Sequence, residues 1–173
     1  MLRSALPESL LRNGFNVCSR RDPIGEAHHW LMELLKKDFD FNNQESLLVL
    51  GGGLGFHLIA VLEKFPSALL TVFEPSVEFQ NYFLRKHSDF SPRINWVSDS
   101  KLLLQSELVG LRCLTFRPSW QGDQSSFVQA LKDFKQAQAA AFLKPVSLTA
   151  DDRQLCRILL SCVAVKKQVN QCA

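Results

Sequence analysis

A run of glycines that follows a short apolar segment is the first feature of this chain that could do chemistry. The run spans Leu50–His57 (LGGGLGFH), with Gly51, Gly53 and Gly55 at alternate positions. Glycine allows a tight turn and close approach of the backbone to a ligand, and the start of a following helix offers unpaired amides. The pattern predicts a site for a nucleotide-type ligand at the three glycines, with His57 beside it in the first helical turn.

The spacing of these glycines narrows the class of ligand. A dinucleotide fingerprint, G-x-G-x-x-G, would need glycine at Phe56 if it began at Gly51, and at Leu58 if it began at Gly53. The phosphate-binding pattern G-x-x-x-x-G-K-[ST] does not occur in the chain. The turn therefore favours S-adenosylmethionine or a mononucleotide over NAD or FAD.

Two acidic residues follow later apolar segments. Glu74 comes about 20 residues after the turn, where a carboxylate accepts hydrogen bonds from ribose hydroxyls in nucleotide-binding folds. Asp99 follows the next apolar segment and is placed to accept from the amine of a base. We expect Glu74 to be partly solvated. The alternative interpretation is structural: the glycines allow close packing, His57 packs or caps, and the two carboxylates are solvated caps.

Strands and helices alternate along the chain and must position these residues. Apolar runs predict four strands, at 46–50, 68–73, 94–97 and 111–116. Asp22-Pro23 predicts the start of a helix, with Asp22 as its cap and Pro23 in the first helical position. Helical spacing predicts further helices over 56–64, after Ser76 as cap and over 125–142, and a short helix is expected after Asp99. A capping box at Thr149–Asp152 predicts a last helix. This order predicts a Rossmann-like α/β fold with a mostly parallel, doubly wound sheet of methyltransferase-like topology. We expect one domain over 1–173, with a helical lead-in at 1–45, the α/β core at 46–145 and a carboxyl-terminal helix at 146–173.

Composition excludes several classes of function. The formal charge of +3 comes from 20 basic and 17 acidic residues without a block of like charge, which does not favour nucleic acid or membrane as a partner. The five cysteines never form a C-x-x-C pair, so neither a disulfide framework nor a metal site is expected. We expect a cytoplasmic protein that binds a small nucleotide-type ligand.

Three stretches together resemble a known family. They are Cys18–Ala27 (CSRRDPIGEA), Leu48–His57 (LVLGGGLGFH) and Thr71–Pro75 (TVFEP). They are similar to the amino-terminal Rossmann-like domain of the bacterial motility accessory factor (Maf-type) glycosyltransferases. The resemblance implies a part in protein glycosylation with a CMP-sugar as the nucleotide ligand. It also implies a second, catalytic domain or a flagellin-like protein as partner.

Two other functions fit the same residues. An S-adenosylmethionine-dependent methyltransferase-like domain would use the glycine turn, Glu74 and Asp99. Against it, Val49 stands where such enzymes usually carry an acidic residue, and Phe116–Trp120 (FRPSW) replaces an Asn/Asp-Pro-Pro-Tyr motif. The third alternative is a scaffold domain that binds no ligand. The sequence reveals no nucleophile or general base, and catalytic residues stay unassigned.

Overall fold

The computed structural model describes residues 11–36 and 46–142, which form five α-helices, four β-strands and three short 3₁₀ segments. The helices are α1 (Pro23–Leu35), α2 (Phe56–Lys64), α3 (Val77–Lys86), α4 (Ser106–Val109) and α5 (Gln124–Phe142). The strands are β1 (Ser46–Leu50), β2 (Leu69–Phe73), β3 (Ile94–Val97) and β4 (Arg112–Thr115). The 3₁₀ segments are Ser88–Arg93, Ser100–Leu104 and Arg117–Trp120.

All four strands are parallel and form one sheet in the order β3-β2-β1-β4. Leu50 at the end of β1 is in register with Phe73 of β2 and Thr115 of β4, so these strands end at one edge. The strand order reverses between β1 and β4, which is the point where open α/β sheets form a crevice for ligands. The predicted Rossmann-like fold class is confirmed, and the glycine turn lies at that point.

Helices cover both faces of the sheet, as a doubly wound fold requires. On one face, Leu47 and Val49 pack with residues of α1 and α2, among them Leu31 and Val61. On the other face, Leu48 and Leu50 pack with the buried side of α5. The members from α5 are Phe127, Ala130 and Phe134. Because β1 is buried on both faces, its sequence is a continuous apolar run rather than an alternating one.

The segment that resembles the Maf family forms the start of α1. Asp22 is the N-cap and its carboxylate accepts from the amide of Gly25 at 2.8 Å, while Pro23 occupies the first helical position. The Glu26 carboxylate accepts from the amide of Ser19 at 2.7 Å. The serine, Asp-Pro and glutamate of this motif thus fix the direction in which the preceding chain enters the helix.

Element boundaries differ from the sequence-based expectation at a few residues. β2 begins at Leu69 rather than 68, β4 is two residues shorter than predicted, and the short helix predicted after Asp99 is a 3₁₀ segment. The Ser76 side chain makes no capping bond at α3; instead its amide donates to Glu74 at 3.0 Å. Ser76 is therefore the N-cap residue by position, as predicted, but its hydroxyl does not make the capping bond. The predicted capping box at 149–152 lies outside the described residues.

The described fold belongs to one compact unit, Met1–Ala141. A second unit, Phe142–Ala173, is described only at its first residue, so the single-domain boundaries stay a prediction. Over the described ranges, no helix is both long and apolar enough to cross a membrane.

Candidate functional site

The glycine turn after β1 has the backbone geometry that only glycine adopts without strain. Gly51, Gly53 and Gly55 have φ angles of 105°, 48° and 85°, all in the left-handed region. The turn is also tightly enclosed. A side chain at Gly51 would collide with Ser119, and one at Gly55 would collide with the Phe83 ring. These positions therefore need glycine both for conformation and for packing.

Glu74 lies directly after β2 and is fully buried, with 0% of its surface exposed. Its Oε2 accepts from the amides of Gly52 and Gly53 at 3.1 and 3.0 Å, and its Oε1 accepts from the amide of Ser76 at 3.0 Å. The expectation of a partly solvated Glu74 is wrong. The carboxylate instead ties the end of β2 to the glycine turn after β1.

Arg12 completes the surroundings of this carboxylate. Its Nη2 donates to both oxygens of Glu74, at 2.6 and 2.7 Å, and its guanidinium carbon lies 4.8 Å from the ring centres of both Phe79 and Phe127. The arginine itself is 5% exposed. Within the described part of the chain, its Nε and Nη1 have no hydrogen-bond partner. We call Arg12, Glu74 and the amides of Gly52, Gly53 and Ser76 the carboxylate cluster.

Sequence reasoning missed Arg12 because 62 residues separate it from Glu74. A local signal was present in the dipeptide Asn13-Gly14, which is typical of a tight hairpin turn. In the structure Arg12 and Phe15 exchange backbone hydrogen bonds of 2.9 Å across that dipeptide. Both turn residues have positive φ, 49° and 84°. Recognising this hairpin would have drawn attention to Arg12, although not to its partner.

His57 supports the turn from another side. Its Nε2 donates to the carbonyl of Gly51 at 2.7 Å, and its ring stacks on Phe116 with 3.9 Å between the ring centres. The Trp30 ring meets it edge-on, with the ring centres 5.6 Å apart. Burial lowers the pKa of His57 from 6.5 to about 3, so the ring is neutral at physiological pH. These contacts match the packing interpretation of this residue, while its proposed role toward a ligand stays a prediction.

Asp99 is exposed and begins the 3₁₀ segment Ser100–Leu104, where its Oδ1 accepts from the amide of Lys101 at 2.9 Å. Among the described residues, no hydrogen bond joins Asp99 to Glu74 or to the glycine turn. The structure thus brings Gly52, Gly53 and Glu74 together and leaves Asp99 at the rim.

The described thiols do not supply a nucleophile. Burial raises the pKa of Cys18 and of Cys113 to about 12, so both remain protonated at neutral pH. Over residues 11–36 and 46–142, no group of three or more metal-ligating side chains lies close enough to hold a metal ion. The chemistry that this edge of the sheet offers is binding through amides, a carboxylate and aromatic rings.

An open cavity of about 580 Å³ lies beside the hairpin at the same edge of the sheet. Its lining combines aromatic rings with polar side chains: Phe15, Arg117, Trp120, Gln121, Gly122 and Gln124. The Arg117 guanidinium carbon is 4.3 Å from the centre of the Trp120 ring. The cavity therefore gives solvent access to the outer side of the hairpin.

No protein-family model and no curated protein matches the chain. Among solved structures, the chain is similar to coclaurine N-methyltransferase bound to N-methylheliamine and S-adenosylhomocysteine, at 16% identity and a TM-score of 0.37. The match covers 56% of this chain and 27% of the methyltransferase. The chain thus matches about a quarter of that enzyme's length, and a likeness of this size carries no argument about activity.

Proposed function

We propose that this chain is a nucleoside-binding Rossmann-like domain that takes an S-adenosylmethionine-type ligand at the carboxyl edge of β1 and β2. One observation carries the proposal: the Glu74 carboxylate lies within 3.1 Å of the amides of both Gly52 and Gly53, at the end of adjacent parallel strands. A carboxylate in this place accepts from the two hydroxyls of a ribose. The enclosed turn sets the depth to which the sugar enters.

The residues fit the ribose end of such a ligand. Glu74 supplies the acceptor, and Phe79 and Phe127 supply aromatic faces on both sides of the space that Arg12 now fills. The proposal assigns Asp99, which is exposed after the end of β3, as the acceptor for the amine of an adenine. When bound, S-adenosylmethionine supplies an electrophilic methyl group, but no side chain is assigned a catalytic role here.

Nuclear magnetic resonance of the full chain tests the proposal. Addition of S-adenosylhomocysteine to millimolar concentration is expected to shift the amide signals of Gly52 and Gly53, since both amides border the ribose. Glu74→Gln is expected to abolish these shifts by turning one acceptor oxygen into a donor. Glu63→Gln, an exposed glutamate in the second half of α2, is the matched control and should leave them unchanged. Unchanged signals in the unmodified chain and in an Arg12 variant would overturn the proposal.

The resemblance to the Maf-type glycosyltransferases stays a prediction, and the same titration tests it. If the resemblance holds, CMP or a CMP-sugar should shift the amide signals of Gly52 and Gly53, and S-adenosylhomocysteine should not. Both kinds of ligand present a ribose to Glu74, so the difference would come from the base. If no nucleotide shifts these amide signals, Arg12 occupies the Glu74 carboxylate at all times and the domain is a scaffold that binds no ligand.

A further inference from the structure

The chain that precedes α1 lies across the carboxyl edge of the sheet. Val17 packs with Leu54 of the glycine turn and with Phe79 and Tyr82 of α3. A side chain at Gly53 would meet Val17 at 3.5 Å. Together with Arg12, these contacts make Leu11–Cys18 a cover over the place where a ribose would meet Glu74. We call this stretch the cover segment.

Arg12 binds Glu74 strongly but incompletely. One nitrogen, Nη2, makes both bonds to the carboxylate, whereas Nε and Nη1 are buried without a partner in the described residues. A buried donor that loses water without gaining a bond opposes burial, and this cost offsets part of the ion-pair attraction. An arginine with two unpaired nitrogens is therefore easier to displace than one that is fully bonded.

Among the described residues, one side-chain hydrogen bond joins the outer end of the cover segment, residues 13–15, to the rest of the fold. The Asn13 side-chain amide donates to the carbonyl of Gly122 at 2.7 Å, and Phe15 is 56% exposed. The cavity of about 580 Å³ lies against this end and is lined by Phe15 and Gly122. The hairpin thus has open space beside it, and within the described residues its side chains bond to the rest of the fold through Arg12 and Asn13.

We propose that Arg12 acts as an internal ligand and that the cover segment is a gate of the nucleoside site, an inference that rests on the proposed function. A ribose diol and the Arg12 guanidinium compete for the same two oxygens of Glu74. Binding then requires the segment to withdraw, and the measured dissociation constant equals the intrinsic one divided by the open fraction. Any change that loosens the segment without touching Glu74 tightens nucleoside binding.

Two substitutions loosen the segment while keeping both Arg12 and Glu74. Asn13→Gly removes the bond to Gly122 and keeps a residue that tolerates the positive φ. Gly122→Ala places a methyl group against the backbone carbonyl of Arg12, where it collides. Gly110→Ala is the control, because no atom lies within 4 Å of its added carbon. Arg12→Met removes the internal ligand outright, and its folding is checked by circular dichroism.

Calorimetry with S-adenosylhomocysteine on the full chain measures the effect. Asn13→Gly and Gly122→Ala are expected to bind at least about tenfold more tightly than the unmodified chain, as for an open fraction raised tenfold. Gly110→Ala should bind as the unmodified chain does. Hydrogen exchange shows whether the cover segment opens or closes on binding. S-adenosylhomocysteine should accelerate exchange at the amides of Arg12 and Phe15, whereas ligands usually slow exchange near their sites.

The outcomes separate this inference from the proposed function. Equal affinity in the unmodified chain and in the loosened variants would overturn the gate and leave nucleoside binding standing. Slower exchange at Arg12 and Phe15 on binding would do the same, because the segment would then close on the ligand. If S-adenosylhomocysteine, CMP and a CMP-sugar bind to no variant, including Arg12→Met that folds, the proposed function fails and the gate fails with it.

Discussion

Two acidic residues follow adjacent strands at the same edge of the sheet, yet their surroundings differ completely. Glu74 after β2 is fully buried and receives bonds from a residue 62 positions away and from the turn after β1. Asp99 after β3 is exposed, and its carboxylate accepts from the amide of Lys101, two residues along the chain. The position of a carboxylate at a strand end thus determines where it lies in the fold. Residues far away in the sequence determine whether solvent reaches it.

The largest expected effect is the loss of the Glu74 carboxylate. Glu74→Ala leaves the Arg12 guanidinium buried without its counter-ion and removes the acceptor of three backbone amides. Removing one partner of a buried ion pair costs about 3–5 kcal/mol of unfolding free energy. Urea unfolding of the variant measures this loss. Glu63→Ala, at an exposed position, should stay within about 0.5 kcal/mol of the unmodified chain.

A double substitution tests whether Arg12 and Glu74 stabilise the fold as a pair. If the uncompensated charge causes the loss, Arg12→Met combined with Glu74→Met should be more stable than either single variant, since no buried charge remains. Additive losses in the double variant would show that the two residues do not act as a pair. Glu74 would then be a local cap like Asp99, and the contrast between the two carboxylates would disappear.

A second, smaller effect is expected at the turn that Glu74 holds. Gly53→Val forces a β-branched residue into a φ of 48°, with its Cβ 3.1 Å from that of Ser119. Strain of this kind costs about 1–3 kcal/mol, which thermal unfolding measures. Gly110→Val is the control, because no atom lies within 4 Å of a Cβ added at Gly110. Equal losses at the two glycines would mean that the turn is not constrained by its surroundings.

His57 makes the stability of the buried region depend on pH. Burial lowers its pKa from 6.5 to about 3, so between these values the unfolded chain binds a proton that the folded chain does not. Stability therefore falls as pH falls through this window, by up to about 1.4 kcal/mol per pH unit. His57→Gln keeps a donor for the Gly51 carbonyl and should lower this slope. Urea midpoints at pH 7 and pH 5 measure it, and identical slopes would contradict the prediction.

The sequence predicted the parts of this region whose signals are local. The apolar run of β1, the glycine turn and the Asp22-Pro23 start of α1 each follow from neighbouring residues, and all three are confirmed. The burial of Glu74 could not be predicted, because it depends on Arg12 being brought across the sheet edge by a hairpin. The residues near Glu74 in sequence do not show whether its carboxylate is free to bind a ribose or is already paired with an arginine.

The smallest expected effect on stability is at Asp99. Asp99→Ala removes one capping bond from an exposed 3₁₀ segment, which costs about 0.5–1 kcal/mol, and Asp99→Asn should cost less because asparagine is an equally good cap. The two variants should differ from each other mainly in ligand binding. If Asp99 accepts from the amine of an adenine, the asparagine amide can rotate to present its oxygen, so S-adenosylhomocysteine binding should survive in Asp99→Asn and weaken in Asp99→Ala. Calorimetry in the Asn13→Gly background, where the site is expected to be open, measures both. Equal binding by the two variants would leave Asp99 a helix cap alone and confine the nucleoside site to the buried carboxylate.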